Sequence, residues 1–215
     1  MKRISFTIMF VISIFLNGCD DTNNKSNSNP ISPTITYDLS IFNTTALQID
    51  VEGSMNNSPV MGTYSSYYTG DMDYEGIPLL VRQNILQVRD QVFSTNTGYY
   101  QGSHFGTRTS ERTCTVPDVS LISPPPTNAS IGFQSGVTTF RCTDGATLEV
   151  ETKLEEAGGN DAYYISTSRL NLSSGMITTE EIYTVTENMK IVVYESKISG
   201  GANNLDVAST NIIQN

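Results

Sequence analysis

The sequence predicts an all-β fold, an antiparallel meander that forms either an up-and-down barrel or a two-layer β-sandwich. From residue 34 onward, short runs rich in Thr, Val, Ile and Tyr recur at intervals of about ten residues, which is typical of strands. Gly, Asn, Asp and Ser separate these runs. Because connections this short join antiparallel neighbours, about ten strands should follow one another around a sheet or a closed barrel.

The clearest strand is the run TLEVETKL at 147–154, along which apolar and charged side chains alternate without error. This alternation is typical of a strand with one buried and one solvated face. Asp144-Gly145 precedes the run, and Asp-Gly predicts a tight hairpin because both central residues of a type I′ turn need positive φ. The inward-facing residues predicted here and in the strand at 189–198 are Leu148, Val150, Leu154, Val192 and Tyr194.

Further strands are predicted along both halves of the chain. They lie at 35–42, 46–55 and 60–69 and then at 137–143, 162–172, 176–186, 189–198 and 205–213. The second set should form a sequential meander, because its connections are short. We expect the interior to be packed by medium and large side chains, without a bound lipid, since a barrel of about eight strands is just filled by side chains of that size.

The segment 78–94 fits two structures. Val81, Ile85 and Val88 follow a proline at helical spacing, which predicts a helix. The high content of β-branched residues and the β-rich surroundings favour a strand. We predict a strand, with a single helix near 78–94 as the alternative.

The N-terminus has the pattern of an export signal. Two basic residues precede the uncharged run 4–16, whose 13 residues are too few to span a bilayer as a helix. The following Leu16-Asn17-Gly18-Cys19 resembles the lipobox of bacterial lipoproteins. The resemblance implies that residues 1–18 are removed as a signal peptide and that Cys19 carries the lipid.

This resemblance implies a domain order and a location. Residues 19–33 contain a single aliphatic residue, so they should form a disordered tether, and 34–215 should form a single β domain. The lipid would anchor the chain on the periplasmic side of the bacterial envelope. The choice between inner and outer membrane is left open, although Asp20 and Asp21 resemble the enterobacterial signal for retention in the inner membrane.

The cysteine count predicts one disulfide. With Cys19 assigned to lipid, Cys114 and Cys142 remain as a single pair in an oxidising compartment. They lack the Cys-x-x-Cys spacing of redox pairs, so the bond should be structural.

The composition excludes some functions and supports few. The chain has 12 Lys and Arg against 22 Asp and Glu, so nucleic-acid binding is not expected. The single histidine, His104, lies in a glycine-rich segment without a nucleophile motif, so we predict no enzyme and no cofactor. Asp71, Asp73 and Glu75 start like a calcium loop, but the twelfth position is Arg82 instead of Glu, so no metal site is predicted.

The segment TFRCTDGATLEV at 139–150 resembles the opening strand pair of the membrane-bound inhibitors of C-type lysozyme, which are lipoproteins with β-barrels. The resemblance covers 12 residues and implies lysozyme inhibition as one function. In that family the cysteine of this segment pairs with a second cysteine near the C-terminus. Here the cysteine is Cys142, and its available partner, Cys114, lies upstream of it.

The function predicted first is a non-enzymatic binding or assembly module, anchored in the membrane, whose partner is an envelope protein or a glycan. The first alternative is a barrel that carries a small apolar ligand. A third hypothesis, from a different class, is a hydrolase that uses carboxylates such as Glu155, Glu180 or Glu181.

Overall fold

The computed structural model describes residues 35–39, 41, 45–74, 77–100, 103–118 and 128–214, so the predicted signal peptide, Cys19 and the tether lie outside the described residues. The described residues contain strands and no helix that could cross a membrane. The strands are β1 (Thr36–Asp38), β2 (Leu47–Met55), β3 (Ser58–Tyr74), β4 (Ile77–Val88), β5 (Gln91–Tyr100), β6 (Ser103–Arg108), β7 (Thr113–Thr115), β8 (Asn128–Ser130), β9 (Thr138–Cys142), β10 (Thr147–Gly158), β11 (Asp161–Leu172), β12 (Gly175–Val185), β13 (Ile191–Ser199) and β14 (Leu205–Gln214).

Twelve of these strands form a closed antiparallel barrel, which confirms the all-β fold and decides for a barrel over a sandwich. The order around the barrel is β10-β11-β12-β13-β14-β2-β3-β4-β5-β6-β7-β9, and β9 pairs with β10 to close it. The stretch from β9 to β14 is the predicted sequential meander. Closure pairs β14 with β2, so neither the first nor the last barrel strand is left as an edge.

The helix alternative for 78–94 is wrong. The segment is divided between β4 and β5, which are joined by a tight turn at Arg89 and Asp90. Arg89 has a φ of 54°, as such turns require. Val88 pairs with Gln91 across the turn, and the three residues whose spacing suggested a helix, Val81, Ile85 and Val88, all lie in β4. Pairing of β4 with strands on both sides overrides the local periodicity.

Three of the five predicted inward residues, Leu148, Leu154 and Tyr194, are buried, and Val150 is partly buried. Val192 is 47% exposed, so its prediction was wrong. Its neighbours in β13 pair with consecutive residues of β12, so Val192 is the extra residue of a β-bulge. An extra residue reverses the alternation of side chains, which a count along the sequence does not detect.

The turn before β10 also differs from the prediction. Gly145 has a positive φ of 83°, but Asp144 does not, so the connection is not a type I′ turn. The amide of Cys142 donates to the carbonyl of Ala146, which closes a longer turn ending in the left-handed glycine.

The predicted disulfide is present. Cys114 of β7 and Cys142 of β9 face each other in register and are bonded. These two strands have three and five residues, so the bond reinforces the shortest junction in the barrel wall.

The pair β1 and β8 forms a separate two-stranded sheet that packs on the barrel core. Tyr37 of β1 is 1% exposed, and its hydroxyl donates to the carbonyl of Asn160 at 2.7 Å. Leu39 and Ile41, which follow β1, are buried in the same core cluster. The segment therefore covers the end of the barrel at which β10 turns into β11.

Candidate functional site

A groove of about 370 Å³ crosses strands β3 to β7. Its centre is a row of five residues that pair directly from strand to strand: Gly70, Val81, Gly98, Gly106 and Thr115. Directly paired residues of neighbouring strands share one face of a sheet. Since three of the five are glycines, backbone forms much of the floor. We call this feature the glycine groove.

Two register shifts shape the glycine groove. Thr69 is an extra residue of β3 in its ladder with β4, and Phe105 is an extra residue of β6 in its ladder with β5. Such bulges bend a strand and increase its twist. Gly70 follows the first bulge with a φ of 123°, a conformation that other residues rarely adopt. The bend and the glycine therefore belong to one local feature.

Gly106 is required by close packing of the wall. A Cβ atom at this position would lie 2.6 Å from the carbonyl oxygen of Cys114 in the next strand. Real Cβ atoms do not approach a backbone oxygen so closely, so a larger residue would displace β7. At Gly98 a Cβ atom would instead meet the Leu79 side chain at 3.1 Å.

The walls of the glycine groove are apolar at the bottom and polar at the rim. Leu79, Val81 and Phe105 have less than 8% of their surface exposed. Asp71 and Arg108 contribute opposite charges to the lining, and Asn96, Thr113 and Thr115 contribute neutral polar groups. An apolar floor with a few polar groups around it is typical of a binding site for a small molecule or a short segment.

The predicted calcium residues are distributed over β3 and the turn that follows. Asp71 lines the glycine groove, Asp73 pairs with Pro78, and Glu75 lies outside the described residues. The part of the chain that the structure describes holds no group of three His, Cys, Asp or Glu residues that could bind a metal ion. His104 lies in β6 opposite Tyr99.

The three carboxylates of the hydrolase hypothesis do not converge. Glu155 is exposed and pairs with Lys153 at 2.8 Å. Glu180 and Glu181 are consecutive in β12, so their side chains lie on opposite faces of the strand. Glu181 is the carboxylate on the barrel interior, where the Tyr194 hydroxyl donates to its Oε1 at 3.2 Å.

Glu181 belongs to a set of polar residues inside the barrel, which we call the interior polar cluster. It begins at Arg82, whose Nε donates to Ser66 Oγ at 2.6 Å. Ser66 donates to Asn84 Oδ1, and Asn84 also accepts from the hydroxyl of Tyr64. The Tyr64 hydroxyl lies 3.1 Å from that of Tyr183. The members are Tyr64, Ser66, Arg82, Asn84, Glu181, Tyr183 and Tyr194.

Burial alters the acidity of this cluster. Desolvation raises the pKa of the Glu181 carboxyl, and the Tyr194 hydrogen bond and the Arg82 charge oppose that rise. Desolvation also raises the pKa values of Tyr64, Tyr183 and Tyr194 well above their usual range. The tyrosines are therefore neutral hydroxyl groups at physiological pH and can act only as hydrogen-bond donors and acceptors.

Sequence reasoning missed both features. One sign of the interior polar cluster was visible in the sequence. Arg82 is the only charged residue in the otherwise apolar and amide-rich β4 sequence IPLLVRQNILQV. The glycines of the groove lie in three different strands, so their alignment depends on register and could not be found locally.

No model of a protein family matches the chain, and neither do the curated proteins or the solved structures with which it was compared.

Proposed function

We propose that this chain is a non-enzymatic binding protein of the bacterial envelope, anchored through a lipid on Cys19, which binds an envelope component in the glycine groove. The observation that carries the proposal is the construction of the groove. Glycines aligned in three strands leave a floor of backbone and buried apolar side chains. A ligand can therefore contact main-chain atoms and apolar groups at once.

The rim indicates what kind of component would fit. Asp71 and Arg108 nearly cancel in charge, so the groove does not select strongly for an acidic or a basic ligand. The remaining polar groups of the rim are short hydroxyl and amide side chains, which suit hydrogen bonding to a glycan or an extended peptide. A volume of about 370 Å³ holds a few sugar or amino-acid residues at most.

Site-specific photo-cross-linking in cells tests the binding site. A benzophenone amino acid replaces Asn96 in the groove or Gln87, which is exposed on β4 and does not line the groove. We expect a covalent adduct after irradiation at position 96 and none at position 87. Mass spectrometry of the adduct then identifies a glycan or a peptide. Equal labelling at the two positions, or none, would count against the groove.

The anchor is tested separately. Mass spectrometry of the wild-type protein should find no peptide from residues 1–18 and a lipid mass on Cys19. Cys19→Ser should leave the protein unprocessed or release it from membranes. A wild-type protein that is soluble and begins at another residue would refute the lipid anchor while leaving the groove untested, so the cross-linking result is needed as well.

A ligand carrier is the second candidate, and the number of strands favours it. Twelve strands enclose more space than the eight that side chains just fill. The tyrosines of the interior polar cluster occupy part of this space, since the rings of Tyr64 and Tyr194 stack at 4.4 Å. Saturable binding of a neutral hydrophobic dye by the delipidated protein would favour the carrier over the groove binder. The same preparation can be assayed for inhibition of lysozyme.

A further inference from the structure

We infer that the interior polar cluster binds a small monovalent anion at Nη1 of Arg82. This site is distinct from the glycine groove. Val81 lines the groove and Arg82 is the next residue of β4, so their side chains lie on opposite faces of the strand.

The inference starts from the hydrogen bonds of Arg82, which is 1% exposed. Its Nε donates to Ser66 Oγ, and its Nη2 donates to the carbonyl oxygens of Thr45 and Ser66. Nη1 is buried and has no hydrogen-bond partner among the described residues. A guanidinium has five N–H donors, and two of them are therefore left unsatisfied in the interior. Buried donors of a charged group are rarely left in this state.

The charge of Arg82 is also unbalanced at close range. No carboxylate lies within ion-pair distance of it in the part of the chain that the structure describes. Glu181 acts on Arg82 only through the longer-range field, and its own hydrogen bond comes from Tyr194. A guanidinium keeps its charge at physiological pH, so burial without a counter-ion is strongly unfavourable.

Arg112 shows how the same chain treats another largely buried arginine. The side chain of Arg112 is 15% exposed, and Asp144 lies 2.9 Å from its Nη1, with Glu111 at 3.5 Å from Nη2. Nη1 of Arg112 also lacks a hydrogen bond of good geometry among the described residues, but its charge is balanced by the two carboxylates. Arg82 is more deeply buried and has no such partner among the described residues, which points to a counter-ion supplied from solution.

The surroundings limit the size and charge of that ion. The Tyr68 ring lies 5.8 Å from the guanidinium carbon, and stacked tyrosines occupy the neighbouring interior. The negative field of Glu181 disfavours a dianion at the same site. Chloride or a carboxylate of the size of formate meets both conditions, because each is small, carries a single negative charge and can accept an N–H of Nη1.

The test uses the full chain, purified in detergent and dialysed into sodium gluconate, whose anion is too large for the site. Chloride, bromide and formate are then titrated at constant ionic strength while the melting temperature is recorded. An anion that binds the folded state raises the melting temperature with saturation. We expect saturable stabilisation by at least one of the three anions, and which one works distinguishes a halide from a carboxylate site.

Two variants connect the effect to the site. Arg82→Met should weaken the apparent affinity at least tenfold or abolish the stabilisation. Arg112→Met should leave the affinity within about twofold of wild type, because that arginine is paired with Asp144. No saturable effect in the wild type, or an equal loss in both variants, would overturn the inference.

A crystal grown in bromide keeps the inference testable if Arg82→Met does not fold. An anomalous peak for bromide, or difference density for formate in a second crystal, in hydrogen-bond contact with Nη1 supports it. The absence of both at saturating concentrations overturns it. Neither result depends on whether the glycine groove binds an envelope component.

Discussion

Strands β4 and β10 have the same length, twelve residues, but differ in how they are buried. On β10 apolar side chains face inward, while Glu149, Glu151 and Lys153 face outward. On β4 the consecutive residues Val81 and Arg82 are both buried, one beside the groove and the other in the interior polar cluster. One strand is therefore a half-solvated wall, and the other is enclosed on both faces over part of its length.

The difference teaches where chemistry can be placed in a barrel of this kind. A half-solvated strand needs only alternating apolar and polar side chains. Its charged side chains then all face the solvent, and none is buried. A strand enclosed on both faces can present a different environment on each side. Both candidate sites adjoin β4, and none of their residues belongs to β10. Departures from the simple pattern are thus found at the candidate sites, as is common in proteins.

The largest expected effect comes from removing the disulfide that joins the β4 side of the barrel to the β10 side. The bond between Cys114 and Cys142 connects β7, on the β4 side of the barrel, to β9, on the β10 side. It closes a loop of 28 residues, for which the chain-entropy estimate is roughly 3.5 kcal/mol. Cys142→Ala should lower the free energy of unfolding by roughly 2 to 5 kcal/mol in denaturant titrations. If Cys142→Ala unfolds at the same denaturant midpoint as the oxidised wild type, β7 and β9 hold together without the disulfide.

A matched pair of leucines tests the comparison directly. Leu148 of β10 is 8% exposed and Leu79 of β4 is 4% exposed, so each loses the same buried atoms on mutation to alanine. Leu148→Ala should cost roughly 2 to 5 kcal/mol of unfolding free energy, as at close-packed sites. Leu79→Ala should cost less, because one side of Leu79 faces the groove and makes fewer contacts. A larger loss for Leu79, measured by urea unfolding, would mean that the groove is packed in solution.

The smallest expected effect concerns pH and the interior polar cluster. The pKa of Glu181 is raised in the folded protein, so the folded state binds its proton more tightly than the unfolded state. This contribution to stability is complete below the ordinary carboxyl pKa of 4.5 and is lost as pH rises through the higher folded value. Tyr194 and Arg82 oppose the rise. The charge of Glu181 in turn helps to raise the pKa values of Tyr64, Tyr99, Tyr164 and Tyr183, which stay neutral over this pH range.

Glu181→Gln should therefore remove a decline in stability between acidic and neutral pH that the wild type shows. The melting temperature of the two proteins, followed from pH 4 to pH 8, checks this sign. Glu180→Gln on the opposite face of β12 is the control and should keep the wild-type profile. An identical slope for wild type and Glu181→Gln would show that the carboxyl is solvated.

The sequence was sufficient for the fold class because alternation and turn residues are local properties. The meander from β9 to β14 and the inward positions of Leu148 and Leu154 follow from them. Bulges are not local in this sense. Val192 was misplaced because its extra position is defined only against β12, and the alignment of Gly98 with Gly106 likewise depends on the neighbouring strand. The burial of Arg82 depends on β3 and on Thr45, which no spacing within β4 reveals.

The small sheet at the end of the barrel has a mechanical consequence. With the chain anchored at Cys19 as proposed, tension on the anchor reaches the domain through β1, the first strand. Three residue pairs join β1 to β8, and neither strand belongs to the twelve-stranded ladder. A pull would therefore strip β1 and the Tyr37 side chain from the barrel end before any barrel pairing broke. The small sheet would therefore detach first under tension, while the closed barrel stays folded.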